Sequence, residues 1–205
     1  MSPERSSVFV VDDDPVQSFV LSGILRTAGY RVEVFDHPEA LLSRLSATDR
    51  GCVVLDQRML SSTGLDVQRA LGDRGAALPL IFVSGRAEVL AAVAAMKQGA
   101  VDFLPNPVEP RELLAVVERA LHEDAEVAAG RAARDLARTR WRELSPRERE
   151  VCRLLARGLL NKQIAATLGV AESTVQAQRA RALKKLGVGS VAELVRWMAH
   201  ADDEG

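Results

Sequence analysis

The stretch SVFVVDDDP, Ser7–Pro15, decides how the first half of the chain folds. Five residues rich in β-branched and aromatic types are too few for a buried helix and suit a short strand. Three aspartates end the run, and Pro15 then fits the first position of a helix. Phe19, Leu21, Ile24 and Leu25 follow at helical spacing, and Gly29 supplies the stop. The strand is apolar without alternation, as expected where both faces of a parallel sheet are covered. The same unit recurs outward. RVEVF (31–35), CVVLD (52–56), LPLIFVSG (78–85) and VDFL (101–104) read as further strands. Helical patterns at 38–46, about 64–72 and 88–99 separate them, and a last helix opens at Pro110. Five strands alternating with five helices define a doubly wound α/β fold with a five-stranded parallel sheet.

The rest of the chain changes character. Residues 111–140 are helix formers throughout, with Leu113, Val116, Val117, Ala120 and Leu121 forming an apolar stripe that thins to alanines around Gly130. This reads as an extended fifth helix running into a linker. At LSPRERE (144–150), Ser145 is a candidate N-cap, Pro146 fits the first helical position and Glu148 completes a capping box. Helices are expected at about 146–157, 161–168, 172–186 and 190–200, with no strand pattern between them. The expected organisation is therefore a sheet domain over 1–122, a helical linker over 123–140 and a small all-α domain over 141–205.

Charge follows the same division. Among the 205 residues the net charge is −1, but residues 1–125 carry 12 Lys and Arg against 18 Asp and Glu, while residues 126–205 carry 15 against 10. A basic second half points to an anionic partner. No apolar run approaches the ~18 residues of a membrane span, and MSPERSS at the start has no signal-peptide core. Cys52 and Cys152, a hundred positions apart, read as buried reduced thiols. The expected compartment is the cytoplasm, with no membrane association.

In an open parallel sheet the working crevice lies at the carboxyl ends of the strands, where strand order reverses. There the sequence puts Asp12, Asp13 and Asp14 after the first strand, Asp56 after the third, Ser84 after the fourth and Asn106 after the fifth. An isolated acidic triplet commonly caps a helix or closes a turn. Carboxylates that converge from separate strands repel one another, and the role that suits them is binding a hard cation such as Mg²⁺. An aspartate beside Mg²⁺ is also a competent nucleophile toward phosphorus, with Ser84 placed to hydrogen-bond the phosphoryl group.

In the basic half, NKQIAATLGVAESTVQAQRARALKKL (161–186) has helix-turn-helix spacing. Ala165 is small enough for close packing, Gly169 allows the turn and Val175 anchors the second helix. Indexed at 100° per residue, Ala182, Leu183 and Leu186 cluster with Val175, and Arg179 emerges at the edge. The opposite arc holds Ser173, Gln176, Ala177, Ala180, Arg181 and Lys184. It is polar, basic and low in profile, as a helix entering the major groove of double-stranded DNA must be. A merely solvated face of a small bundle is the alternative.

These residues carry two resemblances. VVDDD, Asp56 in CVVLDQRML, Ser84 in LIFVSG, and Phe103 in AMKQGAVDFLPNP make residues 1–122 resemble the receiver domain of two-component response regulators. LSPREREV, GLLNKQIAATLGVAESTVQ and KKLGV make 140–200 resemble the LuxR-type (GerE-like) helix-turn-helix of the FixJ/NarL group. The resemblance implies a DNA-binding transcription regulator, not an enzyme. Asp56 would accept a phosphoryl group from a sensor histidine kinase. Asp12, Asp13, Asp56 and the backbone carbonyl of Arg58 would hold Mg²⁺, and Ser84 and Phe103 would carry the switch. Gln176, Ala177 and Ala180 would read bases, Lys162 and Arg179 would touch phosphates, and the last helix would support a homodimer in the active state.

The chain departs from the family in ways that bear on mechanism. Asn106 stands where the family carries a lysine, in a loop bracketed by Pro105 and Pro107. In the family the corresponding Lys–Pro bond is commonly cis. Leu60 stands where proline is usual, with Gln57 beside Asp56, and Ala171 where a capping Ser or Thr is common. Two mechanisms are therefore open: phosphorylation of Asp56 switches the protein, or the receiver works with little dependence on it. Two other function classes compete. A phosphatase-like hydrolase using Asp56 lacks an evident general acid–base and leaves the helix-turn-helix unexplained, and salt-sensitive binding to random duplex DNA would argue against an adaptor that keeps the bundle without DNA contact.

Overall fold

The computed structural model describes residues 7–46, 48–57, 64–73, 78–85 and 89–201. The chain divides into two compact units, Met1–Val127 and Ala128–Gly205.

The first unit is a parallel sheet of five strands, β1 (Ser7–Val11), β2 (Arg31–Phe35), β3 (Gly51–Asp56), β4 (Leu80–Ser84) and β5 (Asp102–Pro105), in the order β2-β1-β3-β4-β5. Between them run α1 (Pro15–Thr27), α2 (Pro38–Arg44), α3 (Gly64–Asp73) and α4 (Val89–Lys97), with α5 (Pro110–Arg142) leaving the last strand. Helix α2 stops two residues short of its expected end, where Leu45 turns to extended backbone. Residues on alternate sides of the strands face opposite ways, and two cores result. Val8, Val10, Val54, Ile81 and Val83 pack with α1 and the first turns of α5, including Leu21, Leu25, Leu113 and Val117. Phe9, Val11, Val53, Leu55 and Phe82 pack with Leu41, Val67, Leu71 and Ala95 on the other face. This is why β1, β3 and β4 read as continuous apolar runs.

Strand order reverses between β1 and its neighbours β2 and β3, both parallel to it. The carboxyl ends of β1 and β3 therefore form the crevice. Helix α5 continues through Gly130 as one helix of 33 residues. The cost of a mid-helix glycine, about 1 kcal/mol, is small beside the turns that flank it.

In the second unit the helices are α6 (Pro146–Ala156), α7 (Asn161–Leu168), α8 (Glu172–Leu186) and α9 (Val191–Ala201), each within a residue or two of its expected span. Ser145 caps α6 as expected: its side chain accepts from Glu148 N, and Glu148 accepts from Ser145 N at 2.8 Å. Val151, Leu155, Ile164, Val175, Ala182, Leu186 and Leu194 form the core. Gly169 takes φ +67° between α7 and α8, a left-handed conformation that glycine adopts without steric cost. Its N–H closes on Ala165 O. Cys52 and Cys152 are buried free thiols, and burial pushes them up to about 12 and about 11. Among the described residues no helix is long and apolar enough to cross a membrane.

Candidate functional site: an acidic crevice and a polar recognition helix

The crevice assembles from four strand ends. Asp12 and Asp13 follow β1, and Asp12 N–H donates to Phe35 O at 3.0 Å, which ties the turn to β2. Asp56 ends β3, and the next residue, Gln57, donates its N–H to Val83 O at 2.8 Å. Ser84 ends β4 and is buried. Its carbonyl accepts from Asn106 N–H at 2.7 Å, fastening the loop after β5 to the end of β4. The Asn106–Pro107 bond is cis.

Carboxylate oxygens of Asp12, Asp13 and Asp56 lie within 4.8 Å of one another. Asp14 does not join them. It turns to cap α1, its Oδ1 accepting from Val16 N at 2.8 Å and Gln17 N at 3.4 Å. Asp12 is 3% exposed. Its Oδ1 accepts from Asp14 N at 2.9 Å, while its Oδ2 is buried with no hydrogen-bond partner. Burial raises the Asp12 pKa above the usual carboxylate range, and the charges of Asp14 and Asp13 add to this. The Asp14 N–H and the nearby Gln17 side chain pull it back. Gln57 Oε1 is a second buried oxygen without a partner, one residue beyond Asp56. A buried, unsatisfied carboxylate oxygen among three carboxylates is costly alone. A divalent cation with hard oxygen ligands removes that cost, so these residues fit Mg²⁺. Arg58 and Leu60 lie outside the described residues.

Phe103 on β5 is half-buried, its ring centroid 6.2 Å from that of Phe82. Asn106 is also half-buried, and its side chain is committed: Nδ2 donates to Gln17 Oε1 on α1. Gln17 was not singled out by sequence reasoning. It is one polar residue in the first turn of an amphipathic helix, and nothing in the chain links position 17 to position 106.

In the second unit, Ser173, Gln176, Ala177, Ala180, Arg181 and Lys184 lie on the outer arc of α8, open or partly open to solvent, while Val175, Ala182 and Leu186 are fully buried. Arg179 sits at the edge of that arc, and Lys162 is exposed near the start of α7. Ala171 is the N-cap of α8 and offers no side-chain hydrogen bond. Sequence reasoning placed Glu148 only in the capping box. The structure adds Lys185, whose Nζ donates to Glu148 Oε2 at 2.7 Å and to Glu143 O at 3.2 Å.

A parallel sheet with an acidic crevice, followed by a helix-turn-helix with a polar outer arc, is the layout of a bacterial signal-responsive DNA-binding regulator. Residues 8–118 match the response regulator receiver domain, and residues 142–198 match the bacterial regulatory proteins of the luxR family. The chain is 36% identical over 196 residues to the response regulator protein TmoT of Ectopseudomonas mendocina, covering 96% of this chain and 89% of that one. It is 38% identical over 206 residues to the transcriptional regulatory protein FixJ of Azorhizobium caulinodans, covering 98% of each. Among solved structures, the response regulator StyR matches with TM-score 0.87 and 38% identity, over 95% of this chain and 98% of that one. The chain belongs to the response regulators that join a receiver domain to a LuxR-type DNA-binding domain, and it is a transcriptional regulator.

Proposed function

We propose that the receiver, residues 1–122, controls DNA binding by residues 141–205 through phosphorylation of Asp56, with 123–140 as the helical link. The observation that carries this is the convergence of Asp12, Asp13 and Asp56 within 4.8 Å around a buried oxygen without a partner. Asp12, Asp13, Asp56 and the Arg58 carbonyl are the ligand set for Mg²⁺. When bound, the cation offsets carboxylate repulsion and the charge of an incoming phosphoryl group. Asp56 is the acceptor, and the donor is a sensor histidine kinase. Ser84, at the end of the neighbouring strand, hydrogen-bonds the added group, and Phe103 responds behind it. Nothing in this scheme needs turnover of a substrate, so the protein acts as a regulator and not as an enzyme. Its place of work is the cytoplasm.

Output lies on α8. Gln176, Ala177 and Ala180 face base edges, with Ser173, Arg181, Lys184, Lys162 and Arg179 on the flanks and backbone. The active form is a homodimer on an imperfect palindrome, since a two-fold protein meets two half-sites.

A second reading is favoured by Asn106. A lysine ammonium ~4 Å from a phosphoryl charge contributes on the order of 4 kcal/mol at an effective dielectric of ~20, before desolvation. Asn106 contributes no charge, and its amide is already engaged by Gln17. Phosphorylation then forms at Asp56 but shifts the equilibrium little, because a ligand shifts two states only by its differential affinity for them. Incubation with a small phosphodonor and Mg²⁺ tests both readings, with intact mass, sizing and DNA affinity as readouts. A phosphorylated protein whose DNA affinity rises more than about tenfold supports the first reading and defeats the second. No mass change defeats the first reading and leaves a receiver that works without phosphate, and sustained phosphate release from a small phosphomonoester would make the protein a hydrolase instead.

A further inference from the structure

Helix α5 changes charge along its length. Residues 118–126 carry Glu118, Glu123, Asp124 and Glu126 against Arg119, whereas residues 131–142 carry Arg131, Arg134, Arg138, Arg140 and Arg142 against Asp135. The arginine-rich turns belong to the second unit, which begins at Ala128. Indexed at 100° per residue, Arg131, Arg134, Arg138 and Arg142 fall within an arc of about 80°. All four are exposed. The packed side of the helix lies next to this arc. Ala137 is buried there, and the Trp141 ring sits 5.8 Å from that of Trp197 and 5.7 Å from the Arg153 guanidinium. Arg140 Nη1 donates to Leu186 O at 3.0 Å, and Lys185 Nζ donates to Glu143 O at 3.2 Å. The last turn of α5 is thereby fastened beside the carboxyl end of α8, where the outer arc finishes at Lys184. From there the arginines extend back along the helix over about 16 Å.

Stability of the helix does not account for this face. Cations favour a helix carboxyl end only within its last turn, which covers Arg140 and Arg142, while Arg131 stands about three turns earlier. Like charges at i, i+4, as at 134/138 and 138/142, weaken a helix. Among the described residues Arg131, Arg134 and Arg142 make no ion pair or side-chain hydrogen bond, although Asp135 is four positions from Arg131. We propose that the arginine face of α5 binds the phosphate backbone of duplex DNA beyond the bases met by α8. The guanidinium fork suits phosphate oxygens, and about 16 Å covers roughly five phosphate steps along one strand. The inference rests on DNA binding by the second unit and extends that interface by a sequence-independent contact.

The test is a salt titration of the full chain's affinity for two duplexes. One is trimmed to the selected site, and the other carries about one more helical turn of flank on each side. The variant is Arg131→Gln/Arg134→Gln/Arg142→Gln, since glutamine keeps helix propensity close to that of arginine. On the long duplex its salt slope should be shallower by about 2.7, at about 0.9 for each phosphate released. The wild-type advantage should then shrink by about 40-fold between roughly 50 and 200 mM salt. On the trimmed duplex the two proteins should agree within about twofold. The matching triple lysine variant should keep the wild-type slope, because the slope counts charges. A slope change below about 0.9 on the long duplex would overturn the proposal, and the arginine face would then await an anion other than DNA. Equal losses on both duplexes would overturn the placement beyond the site. Wild-type protein without salt-dependent affinity for either duplex would instead defeat DNA binding by the second unit.

Discussion

The buried carboxylates Asp12, in the first unit, and Glu148, in the second, have opposite fates. Asp12 is 3% exposed and Glu148 is 4% exposed. Glu148 lies under Lys185 at 2.7 Å and accepts Ser145 N–H at 2.8 Å; the Lys185 hydrogen bond above all holds its pKa below the usual range. Asp12 has a backbone N–H on one oxygen and nothing on the other, and burial drives its pKa up. Equal burial therefore does not mean equal purpose. A carboxylate whose acceptor sites are filled from within the chain is part of the fold. One left short, with two more carboxylates beside it, is the kind of group for which a cation is proposed here.

The comparison breaks most sharply at Asp12. Asp12→Asn should weaken Mn²⁺ binding by on the order of a hundredfold, ~2.7 kcal/mol, and should stabilise the metal-free protein by roughly 1 kcal/mol by removing a buried charge. Chemical denaturation with and without Mn²⁺ reads both. An Asp12→Asn protein less stable than wild type without metal would show that the buried charge is satisfied after all.

Glu148→Gln should do the reverse, costing about 1.5–3 kcal/mol, the range for hydrogen bonds to charged groups. Lys185→Met should cost a comparable amount. The sign of the pH dependence follows from the lowered pKa of Glu148. Its stabilisation is fully present above the ordinary glutamate value of ~4.3 and is lost as pH falls through the lower folded value. Glu148→Gln should therefore flatten the acid limb of the stability curve. An unchanged acid limb would place the sensitive carboxylate elsewhere.

The outer arc of α8 sharpens the contrast from another side, because its side chains leave the unbound fold largely indifferent. Gln176→Ala should cost roughly 1–3 kcal/mol at one base position. Arg181→Ala or Lys184→Ala should weaken binding to all sequences and reduce the salt slope by about 0.9 for each phosphate no longer neutralised. Selection of binding sites and salt titration of duplex affinity separate the two. A Gln176→Ala protein with an unchanged selected site would refute the base-reading assignment.

The smallest effect concerns the start of the same helix. Ala171 leaves the N-cap of α8 without a side-chain acceptor. Ala171→Ser should add about 0.5–1 kcal/mol of stability. Thermal unfolding would show it as an upward shift, and no shift would mean that water already satisfies the first turn.

The sequence by itself determined the alternation of strands and helices, the helix-turn-helix and the carboxylates that end β1 and β3. These are local: Val8–Val11 and Val53–Leu55 are continuous apolar runs because both faces of the sheet are covered, and Ser145-Pro146 with Glu148 is a capping-box signature of a helix start. The outer arc of α8 followed from 3.6-residue periodicity once Val175 was set in the core. Only the tertiary structure decided which polar groups found partners. Asp13 and Asp14 are identical neighbours in the sequence, yet one joins the crevice and the other caps α1. Gln17 meets Asn106 across 89 positions, and Glu148 meets Lys185 across 37. Hydrogen bonds act over about 3 Å with strict direction. Pairings at such separations therefore depend on how the sheet and the bundle bring distant turns together, which no local pattern records.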